Sequence, residues 1–304
     1  MDKKTAVQVR FDGRLDDTLR AAAQAGFRYV SIGFGSYEGF ARGDRKEEIA
    51  ALAETLADLS LTCVMTHSPY YDLRISAAVT YPRIDISVAR CLEASAMLGA
   101  PIMAIHPRGC YTSGTRDPDG KDSYNLRGLM PDDIDGCYSL GREDRERSLE
   151  LNLAYWKPLA GRAKEIGCLI GVENLPVFPG WDMTFFSSDP DSQIRLIDGL
   201  GEGACGVLDF GHAYLTNKGD TGPLKKLGSR IKGLHVHDND LTSDQHLIPF
   251  MGSMDWDAQM AALRQTGFDG YVTLELAYEG ENDIGSFMKR AYEAGSRLCG
   301  MLDG

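Results

Sequence analysis

Eight short apolar runs punctuate this 304-residue chain, and stretches with helical spacing separate them. The runs fall at 5–11, 29–34, 61–67, 101–106, 168–174, 204–209, 231–237 and 270–276. Between them, LDDTLRAAAQAG, KEEIAALAETLADL, SVARCLEASAMLG, SLELNLAYWKPLAGRAKEIG and WDAQMAALRQTG repeat apolar residues at i, i+3 and i+4. Most of these helices end near a glycine (Gly26, Gly99, Gly167, Gly267), which acts as a C-terminal stop. Strand–helix alternation over about 250 residues predicts an α/β fold, a (β/α)8 TIM barrel, with residues 1–304 as one domain. An open doubly wound sheet is the competing arrangement, but no GxGxxG follows the first run to favour it. Residues 107–146 break the rhythm with many Gly, Asp, Pro and Ser residues. A long insertion of this kind is expected on the C-terminal face, as a lid or a subunit contact.

Histidine placement narrows the chemistry. All six histidines stand where an apolar strand is expected to end: His67, His106, His212, His235, His237 and His246. Glu173 and Glu275 close two further runs, Asp209 precedes His212 by three residues, and Asp244 precedes His246 by two. Successive strand residues point to opposite faces. Ile105, Val172, Leu208, Leu234 and Leu274 are therefore expected to face the helices. His106, Glu173, Asp209, His235 and Glu275 then face the barrel axis at its C-terminal mouth, where barrels carry their chemistry. Imidazoles and carboxylates converging there predict a divalent metal site. A lone strand-end histidine such as His67 has the competing reading of a hydrogen-bonded structural residue. An inward carboxylate such as Glu275 is harder to explain without a partner.

Composition sets limits on partners. A hydrophobic share of 43% and a charged share of 25% are ordinary for a soluble globular protein. The net charge of −12 disfavours nucleic acid and anionic membranes as partners, because both are held by clustered Lys and Arg. Seven cysteines form no CxxC pair and read as reduced, mostly buried thiols. MDKKTAVQVRF has no long apolar segment and no stretch approaches a membrane span, so the expected location is cytoplasmic. Barrels commonly pair, which leaves a homo-oligomer open.

GVENLP, LDFGH, GLHVHDND, DQH and LELAY, in this order, resemble the xylose-isomerase-like barrel superfamily, which holds sugar isomerases and epimerases together with endonuclease IV. The likeness runs from HSPYYDL to the last strand, and HVHDND…DQHLIP…G…DW is similar to the sugar phosphate isomerase/epimerase group. The epimerase pattern implies one metal on Glu173, Asp209, Glu275 and either His235 or His237. The Gly-x-His-x-x-Asp form favours His235, although His237 points the same way one pleat further on. The endonuclease pattern implies three zinc ions and adds His67, His106, His212, Asp244 and His246, all present here. Phe250-Met251 depart from the Gly-Glu that relatives often carry before Gly252.

The resemblance implies proton abstraction beside a carbonyl, with Glu173 and Glu275 as base and acid and a divalent ion stabilising the enediolate. Mixed imidazole and carboxylate donors suit Mn or Zn best, then Co or Fe, with Mg less favoured. His212 is a candidate for bonding a substrate hydroxyl or for a second metal. His67, His106, Arg108, Tyr70 and Trp181 are candidates for holding a sugar or sugar phosphate. The bland readings are loop aromatics for Tyr70, Tyr71 and Trp181, a solvated arginine for Arg108, and a helix-start packing residue for Trp256. The leading expectation is a metal-dependent isomerase or epimerase of a sugar or sugar phosphate. An endonuclease IV-like phosphodiesterase at abasic DNA is the main alternative, against which stand the net charge, the acidic insertion and the lack of a Lys/Arg stripe. A dehydratase on a keto-sugar or polyol is the third, and a non-catalytic sugar-binding barrel accounts least well for so many ionisable groups.

Overall fold

In the computed structural model, the eight runs form one parallel sheet that curls into a barrel. The structure describes residues 4–71, 75, 77–78, 80–112, 145–178, 183–278 and 281–303. The strands in chain order are β1 (Thr5–Arg10), β2 (Tyr29–Gly33), β3 (Thr62–His67), β4 (Ile102–Ile105), β5 (Cys110–Thr112), β6 (Leu169–Glu173), β7 (Met183–Phe185), β8 (Ala204–Asp209), β9 (Ile231–His235) and β10 (Val272–Leu274). Spatial order in the large sheet is β10-β1-β2-β3-β4-β6-β8-β9. The circle closes where Val236 pairs with Leu274, through Val236 N to Thr273 O at 2.8 Å and Glu275 N to Val236 O at 3.2 Å. The two extra strands, β5 and β7, pair antiparallel outside the barrel. Of the expected insertion, residues 113–144 lie outside the described residues.

The five predicted helices are present as α1 (Leu15–Ala25), α3 (Lys46–Asp58), α4 (Pro82–Met97), α5 (Arg145–Glu165) and α9 (Trp256–Gln265). Their stop glycines Gly26, Gly99, Gly167 and Gly267 all adopt positive φ, between 69° and 114°, the left-handed turn that a side chain disfavours. Five further helices join them: α2 (Tyr37–Arg42), α6 (Pro190–Leu200), α7 (Phe210–Asn217), α8 (Gly222–Leu227) and α10 (Ile284–Asp303).

Strand parity behaves as expected. Ile105, Val172, Leu208, Leu234 and Leu274 belong to the large outer core between sheet and helices. A smaller inner cluster of Met65, Ile102, Ala104, Cys205 and Val207 fills the barrel axis. Three of these stand two residues before His67, His106 and Asp209, and so lie on the same strand faces as those candidate ligands. Glycine occupies the corresponding place in β6, because a Cβ on Gly171 would meet Val207 at 2.6 Å and Ile102 at 2.7 Å. The ligand candidates thus rest on a close-packed apolar floor.

Candidate metal centre

Four strands deliver four acceptor groups to one point. Glu173 ends β6, Asp209 ends β8, His235 ends β9 and Glu275 follows β10, and one donor atom from each lies within 4.8 Å of the others. His235 Nδ1 stands 2.9 Å from Glu173 Oε1 and 3.4 Å from Glu275 Oε2. On the other side of Glu173, Oε2 lies 3.3 Å from both His67 Nε2 and His106 Nε2. Glu173, Asp209 and His235 are fully buried.

A second group lies beside the first. His212, His237, Asp244 and His246 also bring donor atoms within 4.8 Å of one another. Asp244 Oδ2 is 3.2 Å from His212 Nε2 and 3.2 Å from His246 Nε2. The His237 ring stacks on His246 at 3.8 Å between centroids, and its Nε2 is 3.1 Å from Asp209. The two histidines fall in different groups: His235 stands with Glu173 and Glu275, whereas His237 lies between Asp209 and Asp244. Gly211 makes room for His237, since a Cβ there would fall 1.9 Å from the ring. That is the physical content of the glycine in LDFGH.

The residues fit a divalent cation on three counts. First, Glu173 Oε1 and Oε2, both nitrogens of His235, His237 Nδ1 and Asp244 Oδ1 are buried without a hydrogen-bond partner. Buried polar atoms left unpaired in such number are costly unless something else satisfies them. Second, the rings are pre-oriented. His67 Nδ1 meets Ser68 O at 2.8 Å, His212 Nδ1 meets Asn174 O at 2.8 Å, and His246 Nδ1 meets Glu275 O at 2.9 Å. A carbonyl only accepts, so each Nδ1 donates, and in the neutral ring Nε2 presents its lone pair to the cluster. Third, mixed nitrogen and oxygen donors are a normal first-row divalent set.

Charge coupling in the metal-free cluster is strong. Burial would raise the carboxyl of Glu173, but His235 and His106 hold it well below the ordinary range. Burial opposes Glu275 in the same way, yet His235 and His246 bring it down to about 2. Conversely, burial would lower His235, while Glu173 and Glu275 lift it to about 9. His246 is lifted to about 9 against burial by Asp244 and Glu275. His212 is raised against burial by Asp209 and Asp244, and burial lowers His106.

A cavity of about 240 Å³ opens onto both groups and is bordered by His106, Glu173, His212, Asp244, His246 and Glu275. Tyr70 lines it too, with its ring stacked on His67 at 4.8 Å between centroids. Arg108 goes elsewhere. Its guanidinium is buried among Tyr71, Tyr81 and Tyr155, paired to Asp85 at 2.5 Å, and it does not border the cavity. The expectation that it holds a substrate phosphate, and the alternative of a solvated arginine, both give way to a buried clamp behind His106, whose carbonyl accepts from Tyr71 at 2.7 Å. Trp181 lies outside the described residues. His212 and His246 also depart from strict strand ends: His212 sits in the first turn of α7, and His246 in the loop after β9 with φ of 50°.

Three residues beyond the expected set hold the site together. Asn174 grips Asp209 through both backbone groups, donating to its carbonyl at 2.9 Å and accepting from its amide at 2.8 Å. Gln8 reaches Glu275 from β1. Asp238, fully buried, accepts from Asn239 N, Phe250 N, Met254 N and Trp256 Nε1 at 2.9 to 3.2 Å. It ties down the loop carrying Asp244 and His246, and Trp256 packs the start of α9 as expected. Phe250 thus joins the loop through its backbone, and Gly252 is required because a Cβ would meet Asp238 at 2.3 Å. Asp238→Ala is expected to lower stability by roughly 3 kcal/mol, since several buried donors lose their acceptor. Urea unfolding checks this, and a change below about 1 kcal/mol would contradict the staple.

The chain belongs to the xylose isomerase-like TIM barrel family, whose model matches residues 19–294. Among curated relatives, an uncharacterized protein, y4fM, of Sinorhizobium fredii is 36% identical over 86 residues, covering 25% of this chain and 27% of its own. Fructoselysine 3-epimerase of Escherichia coli O157:H7 is 35% identical over 68 residues, covering 22% and 25%. These matches span only about a quarter of either relative's length. Among solved structures, the 3-keto-D-glucoside 4-epimerase YcjR of E. coli superposes with a TM-score of 0.68 at 15% identity, over 97% of this chain and 99% of that one. At that identity the likeness speaks for the fold. Among the described residues, no helix is long and apolar enough to cross a membrane.

Proposed function

We propose that this protein is a metal-dependent epimerase or isomerase of a sugar or sugar phosphate. The observation that carries the reading is the pairing of Glu173 and Glu275 on one cavity, each with an oxygen beside His235. Glu173, Asp209, His235 and Glu275 would hold the ion. When bound, a divalent ion supplies electrostatic stabilisation of negative charge on the sugar oxygens. Mn or Zn suits the mixed donors best. The protein's own residues do the rest. One glutamate takes the proton from the carbon beside the carbonyl, the C–H pair becoming a C=C bond as the carbonyl π pair moves onto oxygen; the other glutamate returns a proton to carbon as the C=O bond re-forms. Tyr70 and the apolar wall of Leu175, Pro176 and Phe178 border the same cavity and would exclude water from the sugar. The fructoselysine 3-epimerase among its relatives supports the substrate class.

The test is a panel of ketoses, aldoses and their phosphates incubated with metal-loaded protein in heavy water. Conversion with deuterium at the carbon beside the carbonyl is expected, and Glu173→Gln or Glu275→Gln should suppress exchange and turnover together. Product carrying no solvent deuterium would favour a hydride shift instead. One observation favours a second reading, phosphodiester hydrolysis at abasic DNA: the His212–Asp244–His246 group supplies donors for an additional metal. The charge of −12 weighs against it. Efficient metal-dependent incision of an abasic oligonucleotide, with no sugar converted, would reverse the order.

A further inference from the structure

We propose that Gln8 is a positioning residue that acts through Glu275, holding one carboxylate oxygen outside the metal-ligand set and presenting it to the cavity. The inference rests on the metal-dependent reading of the site. Gln8 sits mid-strand in β1, between Val7 and Val9 of the outer core, so its side chain enters the barrel axis, where it is 4% exposed. Its Nε2 donates to Glu275 Oε1, and it lies 3.4 Å from the hydroxyl of Tyr70, which also donates to Oε1 at 3.4 Å. Its Oε1 accepts from Ser31 Oγ of β2 at 3.1 Å. An ionised carboxylate only accepts, so the amide must turn its NH2 toward Glu275, and Ser31 fixes that orientation from behind.

The two glutamates are consequently unlike. Both oxygens of Glu173 face imidazoles, Oε1 toward His235 and Oε2 toward His67 and His106. Glu275 divides its oxygens, Oε2 toward His235 and Oε1 toward the neutral donors Gln8 and Tyr70. Both donors border the cavity beside Glu275, and in this proposal Oε1, free of the imidazoles, is the oxygen that exchanges a proton with substrate. Ser31 is fully buried and does not border the cavity, so its influence on substrate passes through Gln8.

The experiment uses Gln8→Met, Ser31→Ala and Glu275→Asp in the metal-loaded protein. Gln8→Met is expected to lower kcat about 30-fold with KM and metal content nearly unchanged, and Ser31→Ala about fivefold in the same sense. In the Glu275→Asp background, where the shorter side chain no longer meets the amide, Gln8→Met should cost less than about threefold. A second readout needs no turnover. The Gln8 carboxamide resonances, assigned by their loss in Gln8→Met, should exchange slowly with solvent and at least about tenfold faster in Ser31→Ala and Glu275→Asp. Equal effects of Gln8→Met in both backgrounds, or equal amide exchange in all proteins, would overturn the proposal. If no sugar is converted, the functional reading falls, and amide exchange alone decides whether Ser31 and Glu275 hold Gln8.

Discussion

Glu173→Ala is expected to strip the protein of its divalent ion and to lower sugar turnover by at least about a thousandfold. Both oxygens of this carboxylate face imidazoles, with His235 on one and His67 and His106 on the other. The barrel should stay folded, because the site stands above a separate apolar floor of Met65, Ile102, Ala104, Cys205 and Val207. His235, lifted toward about 9 against burial in part by Glu173, can also shed its proton once that charge is gone. Asp209→Ala and Glu275→Ala should act in the same direction. Elemental analysis beside circular dichroism measures both claims, and full metal occupancy in all three folded variants would remove the basis of the account.

The second large effect concerns pH. Without metal, neighbouring carboxylates lift His235 and His246 to about 9 against burial, from an ordinary value near 6.5. A folded value above the unfolded one means stability that is complete below about pH 6.5 and lost as pH rises through about 9. The metal-free protein should therefore unfold more easily at pH 9.5 than at pH 6. Metal affinity should run the opposite way. An ion must displace those protons, so its apparent affinity climbs by up to about tenfold per pH unit for each proton released, and levels off above about 9. Calorimetry in buffers of different ionisation enthalpy counts the protons. Affinity that is flat between pH 6.5 and 9, with no proton released, would show that these imidazoles take no part in binding.

Much of this site is legible in the chain because strand parity is a strict geometric rule. Glu173, Asp209, His235 and Glu275 each follow an outward apolar residue, and each lies inward where the alternation puts it. The rule fails to separate His235 from His237, since both share a face; Gly211, in the first turn of α7, leaves the room that the His237 ring fills. Gln8 carries a signal, a polar residue between two valines, Val7 and Val9, but its partner is 267 positions away. Asp238 was similarly hidden: its four donors come together only once the following loop has folded back. Among helices, α10 holds three glycines that weaken local propensity, yet at Gly295 a Cβ would fall 2.2 Å from Thr5 Oγ1. Tertiary packing sets that residue. Arg108 shows the reverse error, since a loop arginine reads as a free hand until three tyrosines enclose it.

The most direct measurement is an anomalous-difference map from crystals grown with manganese or zinc, recorded on both sides of the metal's absorption edge. A peak among Glu173 Oε1, Asp209, His235 Nδ1 and Glu275 Oε2 is the predicted result, with a second among His212, Asp244 and His246 where more than one ion binds. An ordered structure at saturating metal with no peak at the Glu173–Asp209–His235–Glu275 cluster would contradict the account.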